Sequence, residues 1–104
     1  SLILGPSGQN IYPEEIEDLL NAQPYIAESL VIEREGKLVA LVYPDAEAMK
    51  QNKISRETLL KIIHETRKQI NQQLPAYSQI ARIEIHDEEF EKTPKRSIKR
   101  FLYQ

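Results

Sequence analysis

Apolar positions fall in short bursts whose spacing changes from strand-like to helix-like along the chain. Leu2-Ile3-Leu4 is a brief apolar run, and Gly5-Pro6-Ser7-Gly8 after it is a turn by chemistry: glycine permits positive φ and proline presets its own. Gln9 to Tyr12 is predicted to return as a second short strand, closing a small hairpin. Pro13 then stands at a helix start, where its missing N–H costs least. Glu14, Glu15 and Glu17 suit the positive end of that helix's dipole. Ile16, Leu19 and Leu20 put one apolar stripe against a core, and Pro24 ends the helix. Leu30 to Ile32 and Leu38 to Tyr43 predict two strands joined through Glu35-Gly36. The second run lacks alternation, so both its faces are expected to be covered. Pro44-Asp45 closes it. Ser55 is an N-cap with Glu57 in the first turn, and Leu59, Ile62, Ile63, Thr66 and Ile70 trace a helical stripe that ends near Leu74-Pro75. Ile80 to Ile85 reads as a third strand with Ile83 and Ile85 on one face. A charged segment, Asp87 to Arg100, and Phe101-Leu102-Tyr103 follow. The order predicts an α+β domain: a small three-stranded sheet with two to three helices on one side, preceded by a short N-terminal β-hairpin.

Composition narrows the function classes. With 104 residues there is room for one modest core. A net charge of −2 argues against a dedicated nucleic-acid binder. The absence of cysteine excludes disulfides and thiolate metal sites, and it fits a reducing, cytoplasmic setting. No apolar run approaches the roughly 20 residues of a membrane helix. The chain opens on an apolar run with no methionine and is expected to be a part detached from a longer protein.

Few constellations carry chemistry. His64 and His86 lie far apart, without the further ligands a metal site needs. The carboxylates of Glu14 to Asp18 and of Asp87 to Glu91 read as solvated clusters rather than an acid–base pair. Ser97 has no nucleophile elbow around it, and Gly5 to Gly8 lacks the Gly-Lys-Ser/Thr ending of a phosphate loop. The local anomaly is the segment from Lys92 to Arg100, where five of nine residues are basic. Such a patch is either a phosphate site or a solvated terminus.

Three segments together resemble the C-terminal domain of adenylate-forming acyl-CoA synthetases. Gly8-Gln9-Asn10-Ile11-Tyr12-Pro13-Glu14-Glu15-Ile16-Glu17 is similar to that domain's opening pattern, Leu74-Pro75-x-Tyr77 to the step before its last strand, and Lys92-Thr93-Pro94 with Ile98-x-Arg100 to its closing motif. The wording of Asn10 to Pro13 and of Lys99 to Leu102 is closest to the long-chain fatty acid branch. The resemblance implies a two-step ligase that uses ATP, coenzyme A and Mg2+. A carboxylic acid and ATP give an acyl-adenylate, and a coenzyme A thiol then displaces AMP. Residues 1–104 would form the mobile lid, inactive and cofactor-free alone. Its partner would be the chain's own N-terminal AMP-binding domain, which holds fatty acid, ATP and coenzyme A, and any peripheral membrane association would run through that missing part.

The resemblance also places roles. Gly8 matches the glycine of the loop lining the pantetheine tunnel, and Asn10 a position in that loop often held by arginine. Arg100 belongs to the closing motif and is expected to help bind the cofactor. The catalytic lysine of the family, which bridges carboxylate and α-phosphate, falls on Ser97, and the glycine before it on Arg96. Serine supplies no positive charge. Either adenylation is impaired, or Lys95 or Lys99 substitutes, and the second is the expectation here: in an extended segment both would point to the side of Ser97, with Cα atoms about 7 Å away. The alternative from another class is a non-catalytic α+β protein-interaction module.

Overall fold

The computed structural model describes residues 1–104. Strands β1 (Ile3–Leu4) and β2 (Asn10–Ile11) pair antiparallel, with Ile3 opposite Ile11 and Leu4 opposite Asn10. The turn between them is closed by the Gly5 amide donating to the Gln9 carbonyl at 2.7 Å. A Cβ on Gly5 would sit 2.6 Å from Gln9 Oε1, and Gly8 has φ +80°, so the turn uses two glycines for two different reasons.

Helix α1 (Pro13–Asn21) starts on Pro13, as expected, and buries Pro13, Ile16, Glu17 and Leu20. Strands β3 (Ile26–Arg34) and β4 (Lys37–Pro44) form an antiparallel pair. Glu35 and Gly36 between them both have positive φ, the mirror-image turn whose twist matches a two-residue hairpin. β3 begins four residues before the apolar run that predicts it. Its first residues, among them exposed Ala27 and half-buried Glu28, join through backbone pairing across a bulge between Ile26 and Glu28, which leaves no hydrophobic signature.

Helix α2 (Ala46–Gln51) is absent from the sequence reading. It has no buried residue and therefore no stripe; Asp45 caps it by accepting from the Ala48 amide at 3.0 Å. Helix α3 (Arg56–Asn71) is capped by Ser55, whose hydroxyl accepts from the Thr58 amide at 3.1 Å, and it buries Leu59, Ile63, Thr66 and Ile70. It carries the chain across to β5 (Ile80–Ile85), which lies parallel to β4.

The sheet order β3-β4-β5 makes β4 the central strand. On one face Val31, Leu38, Ala40 and Val42 form a core with Ile16 and Leu20 of α1 and Leu59, Ile63 and Ile70 of α3. On the other face Leu30, Ile32, Val39 and Leu41 are buried under Phe90, with Tyr43, Ile98 and Tyr103 packed around them. Helices thus cover one side, and the charged C-terminal segment covers the other. Burial of each such side chain contributes roughly 1.5–3 kcal/mol, which explains why this segment folds despite its charge.

Candidate functional site at the C-terminal turn

Phe90, 2% exposed, anchors the segment to the sheet. The His86 ring stacks on it at 4.6 Å, and Tyr103 meets both rings edge-on, at 5.1 Å from Phe90 and 5.5 Å from His86. The Glu91 amide donates to the Tyr103 hydroxyl at 2.9 Å. His86 is therefore an aromatic packing element, and His64 is exposed on α3. Neither belongs to any group of three or more acidic or histidine side chains fit to hold a metal.

Beyond Phe90 the chain makes a tight hairpin. Lys92 pairs antiparallel with Ile98, the Arg96 amide donates to the Thr93 carbonyl at 2.8 Å, and the Thr93 amide to the Ser97 carbonyl at 2.8 Å. Thr93 Oγ1 accepts from the Ser97 amide at 3.2 Å. Pro94 follows Thr93 in the turn, where its fixed φ is favoured, and Arg96 takes the left-handed conformation, φ +67°. This is the three-residue loop in which a turn is followed by a bulge residue at positive φ, ordinarily glycine. The segment is therefore not extended, and the extended-chain geometry that would aim Lys95, Ser97 and Lys99 to one side does not apply. Lys95 and Ser97 are exposed in the loop, and Lys99 is half-buried past it, its amide donating to the Glu91 carbonyl at 2.9 Å.

Two of the five bases serve the fold. Lys92 Nζ lies 2.6 Å from Glu28 Oε2 and 3.0 Å from Glu89 Oε1, and it also donates to the Phe90 carbonyl at 3.2 Å. The hydrogen bond to Glu28, supported by Glu89 and opposed by burial, raises the Lys92 ammonium above its ordinary pKa. Arg100 donates a fork to Glu17, 2.8 Å to Oε2 and 2.5 Å to Oε1, and has Glu14 at 3.6 Å. Glu17 is only 7% exposed and also accepts the Val31 amide at 2.8 Å. The acidic start of α1 is thus not a wholly solvated cluster: Glu17 sits on the inward stripe and finds its cation 83 residues away. No local spacing marks such a pair. Lys95, Arg96 and Lys99 have no carboxylate partner.

Arg96 and Ser97 line an open cleft of about 390 Å³ between the hairpin, α1 and the start of β3, together with Glu14, Glu28, Lys92 and Arg100. Lys95 and Lys99 do not line it. Gly8 and Asn10 lie elsewhere, both exposed: Gly8 in the β1–β2 turn, where a Cβ would meet nothing within 4 Å, and Asn10 on a second cleft bounded by Tyr12, Leu19, Leu74 and Tyr77. The structure therefore brings Ser97 and Arg100 together and keeps Gly8 and Asn10 apart from them.

Residues 1–103 match one family, described as AMP-binding enzyme C-terminal domain. The chain belongs to that family. Among solved structures, this AMP-binding C-terminal domain is similar to part of the adenylation domain of a carboxylate reductase from Mycobacterium chelonae, with TM-score 0.79 and 17% identity over 97% of this chain and 17% of that one. A Brucella canis acyl-CoA synthetase gives TM-score 0.70 and 25% identity over 96% of this chain and 18% of the other. A Mycobacterium tuberculosis fatty acyl CoA synthetase gives 0.63 and 24% over 97% and 18%. The chain spans less than a fifth of the length of each. No curated protein matches it. The α+β fold and the membership of an adenylate-forming family agree with the resemblance read from the motifs.

Proposed function

We propose that this domain is the mobile lid of an ATP-dependent, AMP-forming ligase in the cytoplasm that joins a long-chain fatty acid to coenzyme A. The observation that supports the reading is that two exposed loops sit on different hairpins, the Gly8 turn and the Thr93–Ser97 turn, and that only the second lines the cleft with Arg100. A lid that presents a different face for each half-reaction needs two such loops on one rigid body. In the first half-reaction the fatty acid carboxylate attacks ATP and pyrophosphate leaves; in the second the coenzyme A thiol displaces AMP. The Thr93–Ser97 turn serves the first and the Gly8 turn, with its open backbone, the second. The large N-terminal domain holds ATP, acyl chain and Mg2+.

The test is a recombination assay. The full-length ligase, the isolated domain and the isolated N-terminal part are each given ATP, coenzyme A and acetate, octanoate or palmitate, and acyl-CoA is quantified. Palmitoyl-CoA from the full-length protein and none from residues 1–104 is the expected result. Acyl-CoA from the isolated domain, or none from the full-length protein with any acid even when its acyl-adenylate is supplied, overturns the reading.

A further inference from the structure

We propose that Arg96 supplies the positive charge that the closing turn brings to the reacting carboxylate and α-phosphate, in place of a lysine at position 97. The inference rests on the lid reading above.

Three cations line the cleft beside Ser97. Lys92 is held by Glu28 and Glu89, and Arg100 by Glu17. Only Arg96 is free of a carboxylate partner there. Its Cα is about 3.8 Å from that of Ser97, the spacing of adjacent residues, whereas Lys95 and Lys99 are two residues removed and line no part of the cleft.

The backbone carries a second observation. Arg96 holds φ +67° in a loop position that glycine occupies without strain. A long charged side chain is kept where the fold alone favours none. Tyr25, Glu35 and Lys53 take the same left-handed conformation elsewhere in the chain, and of the four only Arg96 lines the cleft beside Ser97. The chemistry fits as well: a guanidinium stays charged at all working pH values and forks onto paired carboxylate or phosphate oxygens.

The step assisted is a displacement at phosphorus. A carboxylate oxygen forms a bond to the α-phosphorus, the bond from that phosphorus to the bridging oxygen breaks, and pyrophosphate leaves with the electron pair. No proton is lost or gained by Arg96. Its charge faces the oxygens on which negative charge accumulates, where a preorganised donor acts most strongly.

The experiment uses the full-length ligase and measures two rates separately: pyrophosphate release with ATP and palmitate, and palmitoyl-CoA formation from supplied palmitoyl-adenylate and coenzyme A. Arg96→Gly removes the cation and relaxes the loop, so it does not fail through misfolding. Its expected effect is a loss of pyrophosphate release of about a hundredfold or more, with a much smaller change in the thioester rate. Arg96→Gly/Ser97→Lys is expected to recover most of the first rate. Lys95→Ala and Lys99→Ala are expected to lose less than Arg96→Gly does. Arg96 is ruled out if Arg96→Gly releases pyrophosphate within about threefold of the parent, if either lysine variant loses more, or if the parent itself releases none. In the last case, a parent that still forms thioester from the supplied adenylate retains the lid reading while losing this one.

Discussion

Local rules fail at Arg96, one of four non-glycine residues at positive φ, and at Glu17, for different reasons. Arg96 is a bulky residue at positive φ, which costs about 1 kcal/mol or more for an L-residue, and no ion pair of its side chain within the chain offsets that. Glu17 is an acidic residue in an acidic helix start, yet it is nearly buried and bound to Arg100 and the Val31 amide. Removing one partner of such a pair leaves an uncompensated charge. Arg100→Ala is therefore expected to destabilise the domain by about 3 kcal/mol, measured by urea denaturation. Arg100→Met combined with Glu17→Met should cost clearly less than that single change, because no charge is stranded. If the double variant is the less stable of the two, the pair contributes more than it costs to bury.

At the scale of elements, the central strand and the last segment explain one another. The unbroken run Leu38 to Val42 is legible in the sequence as a strand covered on both faces, and so it is. What covers the second face is not legible, because the covering segment is mostly charged and contributes only Phe90, Ile98 and Tyr103. Three residues spaced that widely have no period. Phe90→Ala should cost about 3 kcal/mol and expose Leu30, Ile32, Val39 and Leu41, which a rise in binding of a hydrophobic dye at unchanged helical circular dichroism would register. A variant as stable as the parent would show that the segment rests on the sheet without holding it. The short α2 escapes the pattern because it buries nothing, whereas α1 and α3 carry apolar stripes and are plain from Pro13, Ile16 and Leu20 and from Ser55 and Ile63.

For the whole molecule, the two loops belong to different hairpins with different supports. One hairpin hangs from the start of α1, and the other is fastened to the far face of the sheet through Phe90. Gly8 has open space around it inside this domain. Gly8→Ala therefore carries only the backbone cost of positive φ, about 1 kcal/mol, with no clash within the chain. In the full-length ligase it is expected to slow thioester formation at least about tenfold, since 1.4 kcal/mol of barrier is one decade, while pyrophosphate release changes little. Equal losses in both rates would show that the hairpin does not distinguish the two half-reactions.

The sequence by itself determined the strand order, the helices α1 and α3, the helix start at Pro13 and the cap at Ser55, the Glu35-Gly36 turn and the family motifs. Each of these is a local matter of propensity, periodicity or turn chemistry. Tertiary structure alone decided which cations are free. Lys92 and Arg100 lie beside Lys95, Arg96 and Lys99 in the chain and are chemically alike, yet two are neutralised by Glu28 and Glu17, far away in sequence. It also decided that Arg96 rather than Lys95 or Lys99 shares a cleft with Ser97, because a bulged turn, not an extended strand, sets where neighbouring side chains go.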